Sequence, residues 1–410
     1  MSSDSQQPRP PEGATTDTTT LLLCGARLDD GRTVDVRLSG GRIEAVGTPG
    51  SLGAHGTRVD LSGYLLLPAP AEPHAHADTA LSADAPGPVS YAAEDVQRRA
   101  TEAALLQLGH GATALRAHVR IGDVQGLAAL EAVLQARRSL RGLVDLATVA
   151  VPRLLTGVAG ADGLAMLRDA VKMGASAVGG RPDLDPDPAG YAEAVLEVAA
   201  EHGCAVDLHT DGDDPARLAR LAAMAGGLRP GVAIGPCGSL SRLPAEARGR
   251  VADRLAAAGV TVTCLPQGGC AGTDVRGPAP VRLLRSAGVR VAAGGGALRD
   301  VANPVGRGDP LEAAYLLVSQ GGLRPAEAYG AVSREAREAL GLPPVRVEAG
   351  FPAELLAVRG ERLAGVLSLA YSRVVVHRGR VVARTSAVRE YCDSAAALDL
   401  PRQSRPEARP

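Results

Sequence analysis

Two textures follow one another along this chain, and the border between them falls near Gly63. From Leu21 the apolar residues come in short runs broken by polar turns: LLLCGARL, then TVDVRL, then GRIEAVG, with Gly40 and Gly41 suited to a tight hairpin. After Gly63, apolar runs alternate with stretches rich in Ala, Leu and Arg. The runs predict strands at 64–68, 112–119, 143–151, 175–180, 204–209, 231–235, 260–266 and 289–295. The stretches between them predict helices, among them 95–108, 124–137, 191–201 and 244–258. Eight strands alternating with helices across 63–349 predict an α/β fold, a closed (β/α)8 barrel of the TIM type. A second β-rich stretch holds AELLAV (353–358) and the hairpin RVVVHRGRVVA (373–383). Because the two ends of a domain tend to lie close together, 21–62 and 350–386 are expected to join as one small discontinuous β-sandwich. Residues 1–20 and 400–410 are polar and Pro-rich, and are expected to be disordered tails.

Composition narrows the function. The 410 residues are 45% hydrophobic, enough for a sizeable core, and Lys+Arg 44 against Asp+Glu 45 leaves a net charge of -1. A balanced charge argues against a nucleic-acid or anionic-membrane partner. Trp is absent and Phe occurs once, so no aromatic platform for stacking bases can be built. Cys24, Cys204, Cys237, Cys264, Cys270 and Cys392 show no CxxC pair, which predicts reduced thiols and a cytoplasmic protein. No apolar run is long enough for a membrane span, and the first twenty residues lack the pattern of a signal peptide.

A barrel of this kind carries its chemistry at the carboxyl ends of its strands. His74 and His76 follow the first predicted strand, His118 ends the second and His209 the fifth. Residues two apart in extended chain point the same way, so His74 and His76 can present two imidazoles to one ion, with His209 as a third. Such donors suit one divalent metal, Zn²⁺ or Fe²⁺. Solvated or structural histidines fit the same spacing. The stretch GGGALRD (294–300) follows neither a phosphate-loop nor a dinucleotide pattern, so no nucleotide cofactor is expected. Arg116, Arg120 and Arg153 lie near strand ends and could make a pocket cationic.

The segment LLLPAPAEPHAHADT resembles the first-strand motif of the amidohydrolase superfamily, in its cytosine deaminase branch, with Glu72, Pro73, His74, His76 and Asp78 matching E-P-H-x-H-x-D. LRAHV (115–119) is similar to the second-strand motif, VDLATVAVP to the third and AVDLHTD to the fifth. The resemblance covers nearly the whole chain between the tails. It implies a metal held by His74, His76 and His209, with Glu72 and Asp78 orienting the histidines and His118, Arg153 and Asp300 in the substrate pocket. It implies hydrolysis of a carbon–nitrogen bond in a small cyclic amidine or amide.

The family's acid–base residues are missing. Its general acid/base Glu falls on Gly212, its polarising His on Pro236, its eighth-strand metal-binding Asp on Gly296, and a substrate-binding Gln on Arg153. Asp211 and Cys237 are the substitutes within reach, although Asp211 reads equally as a helix cap and Cys237 as a buried thiol. Lys172, the one lysine, precedes the fourth strand, so a lysine-bridged pair of metals is not available. Two readings remain open: a metal-dependent hydrolase of C–N bonds with an unidentified base, or a catalytically degenerate pseudoenzyme that binds a small ligand or a catalytic paralogue. Either is compatible with a homo-oligomer.

Overall fold

The computed structural model describes residues 20–387, apart from 54–55, 86, 269–277 and 370. The expected tails at 1–20 and 400–410 lie outside the described residues, save Thr20.

The short runs of the amino-terminal texture form β1 (Leu21–Arg27), β2 (Thr33–Ser39), β3 (Arg42–Gly47), β4 (Thr57–Asp60) and β5 (Tyr64–Pro68). The alternating region gives β6 (Ala71–Ala75), β7 (Ala114–Ile121), β8 (Asp145–Pro152), β9 (Ala177–Gly180), β10 (Ala205–Thr210), β11 (Val232–Pro236), β12 (Thr261–Cys264) and β13 (Arg290–Ala293). Helices such as Ala93–Gly109, Ala128–Ser139, Pro188–His202 and Ala245–Ala257 separate them. The carboxyl-terminal texture gives β14 (Leu355–Arg359), β15 (Arg373–His377) and β16 (Arg380–Thr385).

Strands β6 to β13 pair in parallel and in chain order. A parallel bridge from Ala75 to Gly296 carries the ring round from β13 to β6, so the (β/α)8 barrel is as expected. Alternation explains how each strand divides its faces. In β7, Leu115, Ala117, Val119 and Ile121 pack into the main apolar cluster under the helices, which turns Arg116 and His118 into the barrel. In β10, Val206 and Leu208 pack outward and Asp207 and His209 point in.

The first barrel strand is a correction. The apolar run at 64–68 is β5, which belongs to the second sheet, and the strand that opens the barrel is β6, Ala71–Ala75. The run misleads because it is buried on both faces, as a barrel strand would be: Leu65 and Leu67 pack against the barrel, Leu66 into the other sheet's core. The segment β6 is masked in turn by Glu72, Pro73 and His74, which break any apolar pattern.

Both chain regions do meet in one sheet, in the order β16-β15-β14-β5-β1-β2-β3 with β4 beside β1. One of its faces forms a cluster that draws Leu23, Val36 and Ile43 together with Leu355, Val374 and Val376. The other face, through Leu356, Val358 and Val375, joins the barrel core. Arg373 fixes this junction with a buried, two-pronged pair to Asp309 at 2.9 and 2.6 Å. Among the described residues, no helix is long and apolar enough to cross a membrane.

Candidate metal centre

Inward positions of β6, β7 and β10, with the turn after β6, bring four imidazoles together: His74, His76, His118 and His209. His74 Nε2 stands 3.2 Å from His209 Nδ1. One nitrogen from each of His74, His76 and His209 lies within 4.8 Å of the others, and so does a second group, His74, His118 and Asp207. Beneath the rings, Asp207 Oδ2 accepts from Arg116 at 3.2 Å, while Oδ1 lies 3.4 Å from His118 Nε2 and 3.8 Å from His74 Nδ1.

Burial holds His74 and His76 well below the ordinary imidazole pKa, helped by the positive charge each ring would feel from the other histidines. His209 falls to about 3, chiefly by burial and then by the Arg181 charge. All three rings are therefore neutral with lone pairs available, the state a metal requires. His74 Nδ1, His76 Nε2, His209 Nε2, both nitrogens of His118 and Asp207 Oδ1 are buried with no hydrogen-bond partner. So many unanswered polar atoms in one place are costly, and a cation answers several at once. His74 Nε2 and His209 Nδ1 are hydrogen-bonded to each other at 3.2 Å, close to the ~3.3 Å between donors on a tetrahedral zinc, so an ion taking that pair would replace their mutual bond.

His76, His118 and His209 border a cavity of about 620 Å³, whose wall also includes Arg120, Arg153, Arg181 and Asp300. His118, Arg153 and Asp300 thus line one cavity. Asp300 is tied down: Thr79 donates to it at 3.0 Å, and the N–H groups of Ala302 and Asn303 at 2.8 and 3.1 Å. Glu72 accepts the backbone N–H of His74, not its ring, at 3.0 Å and that of Gly295 at 2.6 Å. The Gly-rich turn at 294–296 thereby cradles an anion that belongs to the chain itself. Asp78 holds Arg120, at 3.2 Å, and not an imidazole. Arg116 lies beneath the imidazoles, outside the cavity wall, and paired, so it adds no free charge to the pocket.

The positions that depart from the family pattern differ in backbone as well as side chain. Gly212 has φ +72 and Gly296 φ +69, both in the left-handed region. A Cβ on Gly212 would meet Leu240 at 3.1 Å and Leu218 at 3.4 Å, so a side chain there starts out among apolar neighbours. Asp211 is off the cavity wall, with its carboxyl raised by burial and by Asp183 and Asp213 against the opposing Arg181. The cap on the following helix is Asp214, which accepts from Ala216 and Arg217 N–H. Cys237 is fully buried, also off the wall, and burial pushes its thiol far above the ordinary range.

Sequence reasoning missed Asp207 and Arg181. Asp207 was visible as the inward residue two before His209. Arg181 comes directly after the short β9, where the pattern offered little.

A parallel barrel with neutral imidazoles converging at the carboxyl ends of its strands defines a barrel protein able to hold a divalent cation in an open cavity. The sequence pattern of the Amidohydrolase family matches residues 81–383, and the chain belongs to that family. It is 27% identical over 315 residues to a pterin deaminase of Rhizobium rhizogenes, which spans 72% of this chain and 71% of that protein. The structure of N-isopropylammelide isopropylaminohydrolase from Burkholderia multivorans superposes with a TM-score of 0.79 at 26% identity, covering 90% of this chain and all of that one. The 5-methylcytosine deaminase of Klebsiella pneumoniae shares the fold, with a TM-score of 0.79 at 23% identity over 92% of this chain and 100% of the other. These relatives carry names of enzymes that act on C–N bonds of cyclic molecules.

Proposed function

We propose that this chain hydrolyses a carbon–nitrogen bond in a small cyclic amidine or amide, with one divalent metal held by His74, His76 and His209. The observation that carries the reading is the convergence of neutral imidazoles beside an open cavity, with buried ring nitrogens of His74, His76 and His209 left without a hydrogen-bond partner. A metal bound there supplies acidification of a water molecule and polarisation of the ring. Proton transfer falls to His118, the imidazole left over once three bind the ion. It borders the cavity, and its Nε2 stands 3.4 Å from the Asp207 carboxylate. Arg120 is placed by Asp78 and by the Tyr91 ring, 5.4 Å away, so it orients ligand without spending its own freedom. The free thiols of Cys24, Cys204, Cys237 and Cys264 support a cytoplasmic setting.

Binding without turnover is the second reading, favoured by the backbone at Gly212 and Gly296, where no carboxylate is offered. Release of ammonia or amine from a panel of cyclic amidines and amides by zinc-loaded protein decides between them. The hydrolase reading expects turnover, reduced about 10²–10⁴-fold in His118→Asn with zinc content unchanged. Loaded protein that turns over no member of the panel supports the binding reading.

A further inference from the structure

We propose that the ligand of this cavity carries a carboxylate, seated between Arg181 and Arg153 beside the histidine cluster. The inference rests on the reading of the cavity as the substrate site and specifies its substrate as an anion.

Three successive barrel strands each deliver one guanidinium to the same side of the mouth: Arg120 within β7, Arg153 just after β8 and Arg181 just after β9. The arc ends at His209 on the next strand, β10. Asp300 is the one carboxylate on the cavity wall among the described residues, and its oxygens already accept three hydrogen bonds. The other acids of the neighbourhood lie behind the wall and are engaged. Asp78 holds Arg120, Asp183 accepts from Thr210 and Arg217, and Asp207 accepts from Arg116. Asp211 is off the wall, half-buried.

Arg181 differs from its two neighbours. Its guanidinium makes no hydrogen bond or ion pair with a described residue, although it is half-buried, and its charge reaches His76 and His209. A partly desolvated guanidinium without an acceptor is an incomplete site. The three histidines are neutral donors, so a divalent cation on them adds to the positive excess without cancelling any of it. An anion satisfies both. A carboxylate matches the planar fork of one guanidinium in a two-pronged pair, and Arg120, held by Asp78, leaves Arg181 as the fork that makes no hydrogen bond with a described residue. Ile121, Val151, Pro152, Leu184 and Val301 supply apolar walls for the ring that bears it.

Benzoate and benzamide are planar, nearly isosteric and differ in charge, so they probe this directly by isothermal titration calorimetry on the zinc-loaded full chain. Benzoate is expected to bind at least about tenfold more tightly than benzamide. Arg181→Gln should remove that preference by weakening benzoate far more than benzamide, with Arg153→Gln as the second variant if the first folds poorly. Inorganic phosphate at equal concentration should not displace benzoate. Equal binding of the two probes, a preference untouched in both variants, or displacement by phosphate at similar affinity overturns the proposal. Zinc content measured on the same samples separates the failures. Bound zinc without a benzoate preference sinks the anion inference alone, and a benzoate preference without zinc sinks the hydrolase reading alone.

Discussion

The two halves of the barrel mouth are built on opposite principles. Strands β6, β7 and β10 place or lead into four imidazoles, and each buries a charged residue beneath them: Glu72, Arg116 and Asp207. Across the mouth, β11 and β13 lead into Pro236 and Gly294 to Gly296, with no titratable side chain. There the backbones approach closely instead. A Cβ on Gly235 would lie 2.3 Å from the Thr263 carbonyl oxygen, and one on Gly294 would lie 2.1 Å from Glu72 Oε1. The histidine half is held by buried polar pairs, and the glycine half by contacts that leave no room for side chains. Titratable groups are therefore unevenly shared at this mouth: the imidazoles stand in one half, and the other adds only Asp300 to the cavity wall among the described residues.

The largest expected break in this arrangement is at Asp207. Asp207→Asn leaves Arg116 buried without its counter-charge and should destabilise the fold by about 3–5 kcal/mol. Chemical denaturation checks this.

Glu72 comes next, because it ties the two halves together through His74 and Gly295. Burial raises its carboxyl to about 7 from an ordinary value of 4.5, against the opposing pull of the backbone N–H groups. Below pH 4.5 the group is protonated in both folded and unfolded chains and imposes no penalty. Between about 4.5 and 7 the unfolded chain releases a proton that the folded chain keeps, so stability falls as pH rises through this window. The loss is on the order of 2–3 kcal/mol. Denaturation midpoints of the wild type minus those of Glu72→Gln isolate it, since the buried histidines, with lowered values, change stability in the opposite sense and cancel in the difference. A flat difference across pH 4.5–7 contradicts the assignment.

The smallest effect is expected at Gly212. Gly212→Glu forces a left-handed backbone onto a side chain that starts among Leu218 and Leu240, costing about 1–2 kcal/mol. It should not create or raise hydrolytic activity, because the side chain does not leave the backbone toward the imidazoles. Activity gained by this change alone would show that Gly212 marks a simple loss of a side chain.

Much of this was legible from residue order. His74, His76, His118 and His209 stood at strand ends with an alternation that fixes their direction, and the β/α rhythm fixed the barrel around them. The first barrel strand was not legible, because the run at 64–68 is apolar for a different reason, burial between two cores. Nor were the roles of Gly212 and Gly296. Sequence showed absent carboxylates, and only the backbone angles show that the chain has a different path there. Arg181 was hidden for another reason: the pattern ended this strand at Gly180, as the structure does, but a lone arginine after it carries no motif.

The most direct test of the account is zinc affinity by competition with a chromophoric chelator, on the wild type and on His76→Ala and His209→Ala. The account predicts one ion per chain, weakened in each variant by more than the ~10–100-fold typical of changes to outer residues around a metal. Wild-type protein without a tight ion, or variants that bind zinc as the wild type does, would contradict it.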